Sequence, residues 1–173
     1  MGRLTLIMGE NDSGKSAFAE GLFKNTNKKR YYIATMIPVT DENRARIEKH
    51  RAAREGLRIN TLELSFSVGG ADIAPDSAVL LEDVSNLLAN AVFEKKKTGD
   101  DVYRDICALK TRCAHLCAVT ISGLDGGGYD SETADYINAL RALNARLYDD
   151  ADTVVLMKDK KPIYLKGSYD DVI

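Results

Sequence analysis

The stretch Gly9-Glu10-Asn11-Asp12-Ser13-Gly14-Lys15-Ser16 follows directly on an apolar run, Leu4-Thr5-Leu6-Ile7-Met8. Gly9 and Gly14 permit backbone torsions that a Cβ would block, so successive N–H groups between them converge on phosphate oxygens. The segment that follows, Ser16-Ala17-Phe18-Ala19-Glu20-Gly21-Leu22-Phe23, reads as a helix and offers its N-terminus to the same anion. Lys15 supplies a cation for the β and γ phosphates, and Ser16 supplies a hydroxyl for magnesium. A plain glycine turn between strand and helix accounts for the glycines, but not for Lys15 and Ser16 together. A chain with this loop is expected to bind a nucleotide through its phosphates.

The rest of the chain is patterned to carry such a loop. Apolar runs at 3–8, 31–35, 61–65, 78–82, 117–122 and 153–157 read as strands. They alternate with helix-period segments at 15–24, 41–55, 84–97, 101–114 and 131–148. Alternation of this kind predicts an α/β fold, three layers deep, with a mainly parallel sheet covered on both faces. A last run at 162–166, reached through Lys158-Asp159-Lys160-Lys161, predicts an antiparallel hairpin at one edge. The 173 residues are expected to form a single nucleotide-binding domain, 1–173.

Composition narrows the function classes. The formal net charge is -2, so bulk electrostatics favour neither nucleic acid nor an anionic membrane. No apolar run approaches the ~20 residues of a membrane span, and the N-terminus lacks the layout of a secretory signal. Cys107, Cys113 and Cys117 form no CxxC pair, and two histidines do not suffice for a convincing zinc site. These thiols read as reduced and half-buried, which fits a cytoplasmic protein.

Two further segments carry chemistry. Ala78-Val79-Leu80-Leu81-Glu82-Asp83 ends an apolar strand on two carboxylates. Glu82 is the first candidate to hold magnesium and Asp83 the second; the competing reading is charge at the start of a helix near Val84. In the helix after Thr40, residues Arg46, His50 and Arg54 fall at i, i+4 and i+8 and share one face. Arginines beside it disfavour the protonated imidazole. Neutral imidazole is a nucleophile, and the arginines would bind the phosphates it attacks. A solvated basic helix with a surface histidine accounts for the same periodicity.

Taken together, Gly9 to Ser16, Tyr32-Ile33-Ala34-Thr35, Arg46-Ile47-x-x-His50-Arg51 and Leu80-Leu81-Glu82, in this order and spacing, resemble the adenosylcobinamide kinase / adenosylcobinamide-phosphate guanylyltransferase family. The similarity is strongest from residue 3 to about 93, and Leu143-Asn144-Ala145-Arg146-Leu147 still looks like the family's late helix. The resemblance implies a RecA-like sheet, a homotrimer, GTP and ATP as substrates, magnesium, and a corrinoid acceptor. It implies two reactions: phosphorylation of adenosylcobinamide, and transfer of GMP from GTP to adenosylcobinamide phosphate through a guanylylated histidine. By the same resemblance the nucleophile is His50, with Lys15 as a second catalytic group. Nucleotide contacts fall on Gly9, Glu10, Asn11, Asp12, Ser13, Gly14, Lys15 and Ser16. Others fall on Ala34, Thr35 and Met36, on Arg51, Ala52, Ala53 and Arg54, and on Glu63 and Glu82. Magnesium falls on Ser16 and Glu82.

The chain also departs from the family pattern. Glu10 and Asp12 replace a glycine and an arginine of the phosphate loop, and two acids beside a polyphosphate repel it unless paired or turned away. Ser122-Gly123-Leu124-Asp125-Gly126-Gly127-Gly128 replaces an Asn-Glu-x-Gly segment, and Asp130-Ser131-Glu132-Thr133 replaces an arginine-rich helix start. Other functions compatible with the residues are a P-loop small-molecule kinase without guanylyl transfer, and a non-catalytic nucleotide-dependent regulator.

Overall fold

The computed structural model describes residues 2–125 and 127–171. Gly126, in the glycine-rich segment singled out above, lies outside the described residues, as do both ends of the expected 1–173 domain. In chain order the elements are β1 (Arg3–Gly9), α1 (Lys15–Phe23), β2 (Lys29–Ala34), α2 (Asp41–Arg54) and β3 (Ile59–Glu63). There follow β4 (Ser77–Glu82), α3 (Val84–Lys95), α4 (Gly99–Arg112), β5 (His115–Ile121) and α5 (Ser131–Asp150). The hairpin β6 (Thr153–Lys158) and β7 (Lys161–Lys166) completes the sheet.

The seven strands lie in the order β3-β2-β4-β5-β1-β6-β7. All neighbours are parallel except β6 and β7. The expected three-layer α/β architecture with an antiparallel edge is therefore the observed one. Element ends shift by up to two residues, for local reasons. Helix α4 begins at Gly99 because Thr98 and Asp101 form a reciprocal capping box. Helix α3 stops at Lys95 because Lys96 adopts a left-handed φ of 52°. The hairpin turns through Asp159 and Lys160, both at positive φ, the requirement of a tight two-residue turn.

Burial on both faces explains the unbroken apolar strands. Leu4 and Leu6 of β1, Val79 and Leu81 of β4, and Leu116 and Ala118 of β5 pack against α3, α4 and α5. Next to them in sequence, Ile7, Leu80, Cys117 and Val119 turn to the opposite face, where α1 seats Ala19, Leu22 and Phe23. Helix α2 belongs to neither core; Arg54 is its one buried residue. It rests on the protein through polar side chains, and this shapes the site described below.

A buried histidine lies at the opposite end of the sheet. His115 is 4% exposed, and its Nε2 is 2.9 Å from Thr5 Oγ1. Burial, reinforced by Arg3 and opposed by Asp152, holds the imidazole down at about 4. An unfolded histidine titrates near ~6.5, so between those values the unfolded chain binds the extra proton and stability rises with pH. The contribution is complete above about pH 6.5 and is lost as pH falls toward 4, a change of order 3 kcal/mol. Urea unfolding at about pH 7 and about pH 4.5 is expected to show a smaller acid loss for His115→Gln than for wild type. Equal losses in the two proteins would refute the assignment.

Candidate functional site

The parallel strands deliver their carboxyl ends to one rim, the usual place for a ligand in an open α/β sheet. Strand β1 lies between β5 and β6, and the Gly9–Ser16 loop leaves its end. Gly9 is a site of close approach: a Cβ there would come 2.4 Å from Ser13 Oγ and 2.9 Å from the Met157 carbonyl. Gly14 caps α1 at φ 92°. Ser13 Oγ is buried without a hydrogen-bond partner. Lys15 Nζ donates to the Glu10 carbonyl at 2.6 Å. Burial holds its ammonium below the ordinary value, against the attraction of Asp83, Glu82 and Asp12.

Both carboxylates at the end of β4 lie close enough to this loop to attract Lys15. Ser16 Oγ donates to Glu82 Oε1 in a short hydrogen bond, while Glu82 Oε2 is buried with no partner. A hydroxyl and an orphaned carboxylate oxygen side by side form a donor set that fits magnesium. Burial, with Asp83 beside it, pushes Glu82 up to about 7. Asp83 fulfils the competing reading as well: it caps α3, accepting from the Asn86 backbone N–H at 2.6 Å. Burial raises its carboxyl, opposed by that bond, by Lys15 and by Arg46.

Thr35, just beyond β2, braces the same corner. Its buried hydroxyl donates to the Asp83 carbonyl at 2.9 Å and accepts from the Asp83 N–H at 2.8 Å. Its side chain is therefore engaged with the protein itself. Ala34 and Met36 flank it at the rim, each half-buried.

Of the three residues that share the α2 face, Arg46 is exposed, His50 is half-buried and Arg54 is buried. The Arg54 guanidinium lies 3.5 Å over the ring of Tyr32, 6% exposed, with Nε and one terminal nitrogen unpartnered. A buried guanidinium with free donors is suited to an anion. His50 Nδ1 is 3.8 Å from Glu20 Oε1 on α1. The all-cationic setting expected for His50 is thus corrected: along α2 it meets arginines, but α1 brings a carboxylate that α2 alone does not reveal. Arg51, Ala52 and Ala53 are exposed. Arg51 bridges Glu48 at 2.9 Å and Glu63 at 2.8 Å, an exposed pairing of small energetic weight.

The two unexpected acids resolve differently. The Glu10 side chain lies against Gly123, where a Cβ would come 3.0 Å from its carboxylate; it leans over the β5–α5 loop. Asp12 sits at φ 57° in the loop itself and attracts Lys15. Asp130 caps α5, accepting from the Thr133 N–H at 2.7 Å, so the changed helix start has a structural use. Beside this loop opens a mainly apolar cleft of about 510 Å³, lined by Met8, Ile121, Leu124, Ile137, Arg141 and Tyr148 among others. Glu20 is absent from the residues the sequence singles out. Its spacing of four from Ser16 along α1 is the signal that places it on the same face.

A family model described as cobinamide kinase / cobinamide phosphate guanyltransferase matches residues 5–164. The chain belongs to this family. It is similar to the bifunctional adenosylcobalamin biosynthesis protein CobU of Escherichia coli, 38% identical over 93 residues, covering 53% of this chain and 51% of that one. The protein of the same name from Salmonella typhimurium is 33% identical over 110 residues, covering 62% of this chain and 60% of its own. The chain thus spans between half and three-fifths of these two relatives. Among solved structures, an ATPase domain matches with TM-score 0.54 and 12% identity, covering 94% of this chain and 78% of its own. A prototypical ATPase from the type III secretion system of pathogenic bacteria matches with TM-score 0.56 and 11% identity, covering 90% and 52%. A protein of Pyrococcus horikoshii gives 0.57 and 8%, covering 98% and 89%. At these identities the likeness is one of fold.

Proposed function

We propose that this member of the cobinamide kinase / cobinamide phosphate guanyltransferase family is a transferase with two activities on one nucleotide site. In the first, ATP or GTP phosphorylates the aminopropanol hydroxyl of adenosylcobinamide. In the second, the imidazole of His50 attacks the α-phosphorus of GTP. An N–P bond forms as the bond to the bridging oxygen breaks, and pyrophosphate leaves. A phosphate oxygen of adenosylcobinamide phosphate then displaces the histidine, giving adenosylcobinamide-GDP. Splitting one difficult transfer into two easier ones is the gain from a covalent intermediate.

The observation that carries the reading is the setting of His50. It stands on α2 one turn from Arg46 and one from Arg54, and its Nδ1 is 3.8 Å from the carboxylate of Glu20 on α1, the helix that leaves the phosphate loop. Lys15 and the N–H groups of Gly9–Ser16 would stabilise charge on the leaving pyrophosphate, or grip the γ-phosphoryl group in the kinase step. Ser16 and Glu82 would hold magnesium, which when bound neutralises phosphate charge. Arg54, with its free donors, would meet the nucleotide's phosphates; Thr35 would act by fixing the Glu82–Asp83 corner. The acceptor hydroxyl needs positioning more than strong base catalysis. The apolar cleft beside the β5–α5 loop supports a place for part of the corrinoid. A homotrimer follows from the family resemblance, and a cytoplasmic setting fits the three free thiols. No helix among the described residues is long and apolar enough to cross a membrane.

The test is incubation with magnesium and GTP labelled on its α-phosphate. The expected result is a labelled protein whose adduct is acid-labile and alkali-stable, and whose label passes to adenosylcobinamide phosphate on a chase. A protein that binds GTP but takes no label would leave a kinase without guanylyl transfer.

A further inference from the structure

Helix α1 places Glu20 one turn beyond Ser16 and directs its carboxylate at α2. Its Oε1 lies 3.8 Å from His50 Nδ1, with the Glu20 side chain 14% exposed and the His50 side chain 31%. That oxygen is buried and has no hydrogen-bond partner. A buried carboxylate oxygen without a donor is costly, and an N–H that His50 carries when protonated at Nδ1 stands 3.8 Å from it. Separations between catalytic partners are commonly loose until substrate is bound.

We propose that Glu20 is a positioning residue for His50, holding the imidazole as the Nδ1–H tautomer so that Nε2 is the atom that takes the GMP. This rests on the guanylyl-transfer reading above. In the first half-reaction the Nε2 lone pair forms the bond to the α-phosphorus. The electrons of the broken bond leave on pyrophosphate. The ring keeps its proton on Nδ1 and becomes cationic, and the Glu20 carboxylate faces that charge. In the second half-reaction the N–P electrons return to Nε2 and the neutral ring is restored, so no proton has to leave the ring in either direction. A carboxylate behind an imidazole does the same work for histidines that act as bases. The bland alternative is that Glu20 merely ties α1 to α2.

Two measurements separate these. The chain has only two histidines, so nitrogen NMR of uniformly labelled protein reports His50 against a single other ring. In free wild type the proton is expected on Nδ1 of His50, and after GTP treatment phosphorus on Nε2. Glu20→Gln is expected to slow adduct formation by about 10- to 100-fold. The concentration of GTP giving half the maximal rate should stay within about twofold, and Glu20→Asp should restore part of the rate. Wild-type labelling rate in Glu20→Gln, or GMP found on Nδ1, would overturn the role of Glu20. Should Glu20→Gln fail to fold by circular dichroism, the tautomer and attachment atom in wild type still decide. Failure of the underlying reading looks different: wild type would bind GTP and form no adduct at all.

Discussion

Alanine in place of His50 is expected to abolish the GMP adduct, a loss of at least about 10³-fold in guanylyl transfer. The reason is compositional as well as geometric. The other histidine, His115, is buried at the far end of the sheet, paired with Thr5. Cys113 and Cys117 are buried thiols that burial holds above their ordinary range, Cys113 at about 11. The third thiol, Cys107, lies on α4, which packs on the sheet face opposite α1. Kinase turnover should fall far less, because moving a γ-phosphoryl group to a hydroxyl needs no enzyme nucleophile. The fold should tolerate the change, since His50 is a third exposed and lies outside both cores. Labelling, kinase turnover and thermal unfolding measured on the same preparation check all three. An adduct that survives in His50→Ala would place the nucleophile elsewhere.

Lys15→Ala is expected to depress both activities, by about 10²- to 10³-fold each, the usual cost of removing one preorganised group that stabilises transition-state charge. The half-buried ammonium is held below its ordinary value by burial, and a polyphosphate arriving in the loop would add its charge to the attraction of Asp83, Glu82 and Asp12. Its hydrogen bond to the Glu10 carbonyl is local to the loop, so folding stability should change by no more than about 1 kcal/mol. The contrast between the two variants is diagnostic. One site serving both reactions requires that Lys15→Ala damage both, and that His50→Ala damage mainly one. Kinase turnover near wild type in Lys15→Ala would mean that the phosphates bind somewhere other than Gly9–Ser16.

The two variants also sort what was readable in advance. The phosphate loop is a local object. Its glycines, lysine and serine are contiguous, and its geometry follows from backbone torsions and a helix start, so sequence suffices to find it. The strands were legible because burial on both faces leaves continuous apolar runs, and the helices because their period is 3.6. Glu82 was legible as a carboxylate at a strand end. Whether it or Asp83 faces the cation was not, since both also suit a helix start; the structure gives Asp83 the cap and leaves Glu82 the orphaned oxygen.

By itself, then, the sequence determined the layered α/β architecture, the loop and its polarity, and the shared face of Arg46, His50 and Arg54. These depend on spacing along one segment. The tertiary structure alone decided what that face meets. It set Arg54 over Tyr32, turned His50 to Glu20, leaned Glu10 over Gly123, and spent Thr35 on the corner that holds Glu82 and Asp83. Each of these contacts joins residues from different elements, and its energy depends on distance and burial. Neither exists until the sheet order brings the carboxyl ends of β1, β2, β4 and β5 to one rim.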